Sequence, residues 1–260
     1  MGLRSKWQTL LWFGSRPDYW GHAMALGARK LRPNRDAQPL RSEARNWAAS
    51  RAVSKDTAYV SLGLQAPSQT EWEPFAEAID QGESLARSSL VAMGGQGAID
   101  FLFASTLKLA AGKVVETGVA YGWSSLAFLA ALDSLGIGRL VSVDMPYPKA
   151  NNEPWVGVCV PERLRARWEL IRQPDRNGLL NAVERFGYGN IDLVHYDSDK
   201  SYWGRRWAYP ILWKALRPGG LFISDDIQDN FYFKEFSEEL GLEPTVIEHL
   251  GKYVGCLRKP

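Results

Sequence analysis

The tightest constraint on this chain is the stretch Lys113-Val114-Val115-Glu116-Thr117-Gly118-Val119-Ala120-Tyr121-Gly122-Trp123-Ser124-Ser125. A short β-branched run ends in an acid, passes through two glycines four apart, and opens into the apolar pattern Leu126-Ala127-Phe128-Leu129-Ala130-Ala131-Leu132. That order predicts a strand, a tight turn and a helix N-terminus, the opening unit of a nucleotide-binding α/β sheet. The glycine spacing narrows the ligand. A dinucleotide site reads G-x-G-x-x-G so that a pyrophosphate can approach the turn and the helix end. Here Glu116-x-Gly118-x-x-x-Gly122 lacks the middle glycine and sets a carboxylate before the turn. A carboxylate suits an ammonium group or a ribose and repels a pyrophosphate.

Downstream, strands and helices alternate. Arg139–Val143, Trp168–Arg172, Ile191–Tyr196 and Gly220–Ser224 read as strands, with helices over Gly178–Phe186, Tyr202–Leu216 and Phe231–Leu240 between and after them. The order implies a Rossmann-like, doubly wound, mostly parallel sheet. Two last strands, near Thr245–Glu248 and Tyr253–Leu257, are joined by a link too short for a helical crossover, so an antiparallel C-terminal edge is expected. Upstream, Pro17, Pro33, Pro39 and Pro67 break residues 1–70 into short pieces, with helical spacing over Arg41–Val53 and Gln69–Leu90. Gly94-Gly95-Gln96-Gly97 is a clear break. It divides an N-terminal helical extension, 1–95, from a ligand-binding domain, 96–260, that begins with an amphipathic helix over Ile99–Leu109.

A net charge of +2 over 260 residues implies no dedicated nucleic-acid partner. The charge is uneven, with eleven Lys/Arg against three acids in residues 1–55. That basic start either engages an anionic surface or partner, or is a solvated face on helices packed by Trp7, Trp12 and Trp20. Exposed aromatic faces there would favour a homodimer. Two cysteines, Cys159 and Cys256, show no ligand spacing, and no run approaches the ~20 apolar residues of a membrane span. A cytoplasmic protein is expected.

Acids mark the ends of four expected strands: Glu116, Asp144, Asp197, and Asp225 with Asp226. Ligands of open parallel sheets sit beyond these ends. For Asp226, a helix cap is an equal alternative. Taken together, Glu116-x-Gly118-x-x-x-Gly122, Asp144 ending the second strand, and Arg217-Pro218-Gly219-Gly220 before the fifth resemble the class I S-adenosylmethionine-dependent methyltransferases, over roughly residues 98–260. The resemblance implies that Glu116, Gly118, Ala120, Tyr121, Gly122 and Ser124 cradle the methionine end of S-adenosyl-L-methionine. It implies further that Asp144 holds the ribose hydroxyls, that Asp175 lies near the adenine, and that Asp197 borders the cofactor.

The segment Asp192-Leu193-Val194-His195-Tyr196-Asp197-Ser198-Asp199-Lys200-Ser201-Tyr202 is similar to the D-x-D-H-x-Y signature of a bacterial branch of small-molecule methyltransferases, with Lys200 where that branch has His. Asp-x-x-Lys is instead found in cation-dependent O-methyltransferases of catechols and caffeoyl thioesters, which also place Asp-Asn where this chain has Asp225-Asp226. That likeness implies catalytic roles for Lys200 and Asp197, and a Mg²⁺ held by Asp197, Asp225 and Asp226 that stabilises the acceptor's alkoxide. Lys200 can act as a base only if its pKa is lowered, and nearby carboxylates raise it. The simpler alternative is that Lys200 pairs with Asp197 or Asp199 and no metal binds.

Other candidates are weaker. His195 reads as a packed histidine sharing strand parity with Asp197. Met145–Arg167, with Pro146, Pro148, Asn151, Asn152, Pro154 and Trp155, is either a substrate lid or a structural insertion. Trp203 and Trp207 read as core, with Tyr202 near the pocket, and Arg205-Arg206 as a solvated helix face. The expected function is methyl transfer from S-adenosylmethionine to a small hydroxylated acceptor, a sugar or a secondary metabolite. A nicotinamide oxidoreductase and a non-catalytic binding module on the same fold are the alternatives.

Overall fold

The computed structural model describes residues 3–146 and 151–260. In chain order, α1 (Leu3–Gly14), α2 (Trp20–Arg29) and α3 (Gln38–Arg51) precede a two-residue strand, β1 (Ala52–Val53). Next come α4 (Lys55–Ser61), α5 (Gln69–Ala86) and α6 (Ile99–Lys108). The alternating region runs β2 (Lys113–Thr117), α7 (Trp123–Leu135), β3 (Arg139–Val143), β4 (Trp168–Ile171), α8 (Asp175–Glu184) and β5 (Ile191–Tyr196). It continues through α9 (Tyr202–Ala215), β6 (Leu216–Ser224), α10 (Tyr232–Glu239), β7 (Thr245–His249) and β8 (Lys252–Arg258).

Among the described residues, eight strands form one sheet in the order β1-β7-β8-β6-β5-β2-β3-β4. All pairings are parallel except those that β8 makes with β6 and β7. The expected C-terminal hairpin is therefore present, turned through Leu250 and Gly251 at positive φ. It is not the outermost element, because β1 adds to β7 in parallel through Ala52↔Val246 and Val53↔Ile247. The helix expected over Arg41–Val53 stops at Arg51 for that reason, and the segment before the glycine break contributes to the same sheet.

The period-two alternation of the strands builds a core on each face. Val114, Leu140, Leu193 and Leu221 point to one side and pack with Phe75, Phe101, Phe103, Leu126, Phe128 and Leu129 from α5, α6 and α7. Val115, Val141, Val194 and Phe222 point to the other and meet Leu179, Val183, Tyr209, Leu212, Phe233 and Phe236 from α8, α9 and α10. Helix α7 is apolar nearly all round and correspondingly buried, running between the sheet and the outer helices α5 and α6. Serines set the helix starts: Ser54 caps α4, Ser68 with Glu71 forms a capping box on α5, and the Ser201 hydroxyl accepts the Gly204 amide on α9.

Strand β2 has its neighbours β3 and β5 on opposite sides, and the chain reverses its winding direction between β2 and β5. Here the sheet opens a crevice at its carboxyl end. Gly118 lies at that point with φ +81°, and a Cβ on it would stand 2.4 Å from the Asp197 carbonyl oxygen. Both the left-handed backbone and the close approach demand glycine. Gly118→Ala is expected to lower stability by about 2 kcal/mol or more, read from the urea midpoint. An unchanged midpoint would show that β2 and β5 can separate here without cost.

Candidate active site

A cavity of about 1260 Å³ lies over the crevice, walled by the turn from Gly118 to Ser124, by Asp144, Asp175, and Asp197 to Lys200, and by Asp225. These residues follow β2, β3, β4, β5 and β6 in turn, so successive strand ends converge on one space. The chain's other parts close it: Phe13, His22 and Arg29 from the N-terminal helices, Gln96 and Gly97 from the glycine break, and His249 and Lys252 from the hairpin.

The turn is built by backbone constraint. Ala120 and Gly122 have φ of +49° and +90°, and a Cβ on Gly122 would reach Gly157 Cα at 2.9 Å. The amides of Gly157 and Cys159 bond back to the carbonyls of Ala120 and Tyr121, and the Tyr121 hydroxyl donates to the Val91 carbonyl at 2.6 Å. Segments on either side thus hold the loop open as a cradle at the start of α7.

Glu116 is placed beneath the turn rather than in it. Fully buried and absent from the cavity wall, its Oε2 accepts from Ser125 at 2.5 Å and from Ser142 at 2.7 Å, with Trp168 Nε1 donating to Ser142 in turn. Its Oε1 has no hydrogen-bond partner and faces His195 Nδ1 at 3.8 Å. His195 Nε2 stands 3.9 Å from Asp225 Oδ1. Burial works against the imidazolium, but the carboxylates on either side outweigh it and hold His195 at about 10. The histidine read as core packing is buried and touches the Phe128 ring, yet it also joins the acid under the turn to an acid on the cavity wall.

Asp144 is 5 % exposed and lies at the cavity edge. It accepts from the Val119 amide and from Arg172 at 2.5 Å. Burial outweighs Arg172 and pushes its carboxyl up to about 6. Asp175, opening α8, accepts from Ser198 Oγ at 2.6 Å and is likewise pushed by burial to about 6.

The expected Mg²⁺ ligands do not fit a cation. The Lys200 ammonium contacts Asp226 and stands 3.0 Å from Asp197 Oδ1, and Lys252 reaches Asp226 at 3.3 Å. Asp225 turns instead toward His195. Among the described residues no three His, Cys, Asp or Glu side chains group as a metal site. A fixed ammonium stands among the carboxylates that a metal would need. Lys200 pairs with Asp197 and Asp226, while Asp199 pairs with Arg29. Burial disfavours the Lys200 charge, but Asp197 and Asp226 outweigh that and raise its pKa, so it stays protonated. Asp197 is pushed up to about 6 by burial and by Asp225, against the pull of Lys200.

Arg205, expected on a solvated face, is fully buried. It donates to the carbonyls of Asp225 at 3.0 Å and Asp226 at 2.8 Å, fixing a turn in which Asp226 is left-handed at φ +51°. Helical periodicity did not reveal this, because the partner is a strained turn 20 residues away in sequence. Trp7 and Trp20, which the solvated-face alternative would pack, are 62 % and 54 % exposed. Within the expected lid, Pro148 lies outside the described residues, whereas Asn152 lines the cavity. His22, Arg29, His249 and Lys252 reach the cavity with no motif to announce them.

Residues 115–227 match the family model of a methyltransferase domain. The matched stretch runs from β2 to just past β6 of the Rossmann-like sheet and includes the strand ends that wall the cavity. No curated protein sequence matches it. Among solved structures it is similar to an O-methyltransferase from Bacillus cereus in complex with S-adenosylhomocysteine, at 16 % identity and a TM-score of 0.51, covering 82 % of this chain and 100 % of that one. It is also similar to a Staphylococcus aureus protein provisionally assigned as a caffeoyl-CoA O-methyltransferase, at 14 % identity and a TM-score of 0.52, covering 70 % and 92 %. At these identities the likeness concerns the fold.

Arg205→Met would leave two buried carbonyls without their donor, and a loss of about 3 kcal/mol in urea unfolding is expected, with near-normal stability arguing against this anchoring. The acids give a pH dependence. With folded pKa values near 6 against 3.8 unfolded, Asp144 and Asp175 bind more protons in the native state between those values. Their contribution to stability is full below pH 4 and lost as pH rises through 6. The ligand-free protein is expected to melt higher at pH 5 than at pH 7, with a smaller difference in Asp175→Asn; an identical pair of slopes would contradict the assignment.

Proposed function

We propose that this chain transfers a methyl group from S-adenosyl-L-methionine to a hydroxyl of a small molecule. The observation that carries the reading is the convergence of a glycine cradle at a helix start and a buried strand-end acid, Asp144, on one large cavity. The methyltransferase-domain match supports it. So does the O-methyltransferase fold shared with the Bacillus cereus protein, whose structure holds S-adenosylhomocysteine.

Bound in that cavity, the cofactor would supply an electrophilic methyl on a sulfonium. The Gly118–Gly122 turn and Ser124 would hold its amino-acid end through backbone groups, and Asp144 would accept from the ribose hydroxyls. Glu116 would act from below, keeping the turn in place. Transfer is an in-line displacement that requires the acceptor's proton to leave. Asp197, with its carboxyl near 6, is the group suited to take it, and the fixed Lys200 ammonium is suited to stabilise the developing alkoxide. This exchanges the roles of base and electrostatic partner that a lysine base would need.

The cavity accommodates a sugar or a secondary metabolite beside the cofactor. Two buried free cysteines agree with a cytoplasmic setting, and no helix among the described residues is long and apolar enough to cross a membrane. The exposed Trp7 and Trp20 support a homodimer.

Calorimetry with S-adenosylhomocysteine and with NADH tests the cofactor. Saturable binding of the first alone is expected, and binding of NADH alone would replace this reading with an oxidoreductase. Asp144→Ala should weaken S-adenosylhomocysteine about tenfold or more through lost ribose hydrogen bonds. Lys200→Met should cut turnover at least about a hundredfold with cofactor affinity nearly kept, and equal losses in both would move Lys200 out of the chemistry. Activity should persist in EDTA; loss restored by Mg²⁺ would show that Lys200 gives way to a cation.

A further inference from the structure

The N-terminal helices touch one end of the cavity in a specific way. Helix α2 packs on α8, whose first residue is Asp175. Around that contact, Asn177 donates to the Asp18 carbonyl at 2.9 Å, the Tyr19 hydroxyl donates to the Arg172 carbonyl at 3.2 Å, and Arg29 pairs with Asp199. Arg172 is also the residue that grips Asp144. The segment before the glycine break is therefore fastened to residues beside the acids that follow β3 and β4, and directly to Asp199 after β5.

Within this docked region two polar atoms are buried without a partner, His22 Nδ1 and Arg29 Nε, both on residues of the cavity wall. His22 is 6 % exposed, and its ring stacks on Phe13 at 6.3 Å and 25°. Burial lowers its pKa, with Arg29 and Arg176 acting the same way against Asp199, so the ring is neutral near pH 7. A neutral imidazole both donates and accepts hydrogen bonds. Native proteins rarely leave buried donors and acceptors unused.

We infer that α2 completes the cofactor cavity at its adenosine end, with His22 Nδ1 and Arg29 Nε hydrogen-bonding the edge of the adenine base. The inference rests on the proposed cofactor and deepens it. Asp175 and Ser198 line the same cavity, and the imidazole stacked on Phe13 supplies a rigid partner for a planar heterocycle. The far end of the cavity, by Lys200, Asp225 and Lys252, is left to the acceptor. Docking of the N-terminal segment and cofactor binding are then linked, each favouring the other.

The test uses the full chain, with S-adenosylhomocysteine and adenosine as ligands in calorimetry. His22→Ala should weaken both about tenfold, since adenosine retains the base, and His22→Gln should recover part of the loss through its own side-chain donor and acceptor. Hydrogen exchange on the wild type should show residues 16–30 becoming protected when S-adenosylhomocysteine saturates. If the wild type binds S-adenosylhomocysteine but His22→Ala binds both ligands as tightly as the wild type, the inference fails and the cofactor reading stands. Exchange in residues 16–30 unaltered by ligand would overturn it as well, whether or not the variant folds. If the wild type binds neither ligand, the cofactor reading falls, and this inference with it.

Discussion

The close passage of Gly118 against the Asp197 carbonyl governs how the rest of the molecule is arranged. Two parallel strands, β2 and β5, run side by side until their ends, where one chain turns up into α7 and the other leads toward α9. With no Cβ in the way, the two loops lie against one another and the cavity opens directly above. The Asp197 amide bonds to Thr117 as the strands end, and the Gly118 amide bonds to Val143 on the other side. Three strands are thereby pinned at the point where a ligand would lie, and the carboxylates that follow them inherit fixed positions.

Charge is organised around this point in two rows. One runs from buried Glu116 through His195 to Asp225 on the cavity wall, alternating in sign. The other alternates through Asp197, Lys200 and Asp226, with Asp197 and Lys200 on the wall. Buried carboxylates without counter-charges would bind protons instead of remaining ionised. His195 in the first, and Lys200 with Lys252 in the second, let the acids stay near one another and stand where a metal ion would have to bind.

Much of the architecture was legible in the sequence, for physical reasons. The alternation of β-branched runs and apolar helices had to yield a layered sheet, and Asp144, Asp175, Asp197 and Asp225 do reach one cavity because strand ends in a parallel sheet share a side. What was not legible depended on contacts distant in sequence. Glu116 reads as a ligand-facing acid, yet strand pleating turns it inward to Ser125 and Ser142. Arg205 reads as solvated until the Asp225-Asp226 turn is seen to need its donors. The ligand set of Asp197, Asp225 and Asp226 looks complete on paper, but Lys200 is close enough to take two of its members. No local pattern in α2 signals that His22 faces the cavity.

The sheet order carries one more consequence. Strand β1 lies at one border of the sheet and β4 at the other, and α2 is fastened beside β4. Residues 18–53 thus cross the full width of the sheet and are tied down at both margins, like a strap buckled on either side of a saddle. The two-residue β1 also shields the outer rim of β7, where unpaired amides would otherwise invite another chain to add a strand. Because α2 helps to wall the cavity, release of the grip at Asp18 and Tyr19 would open that side to ligand exchange.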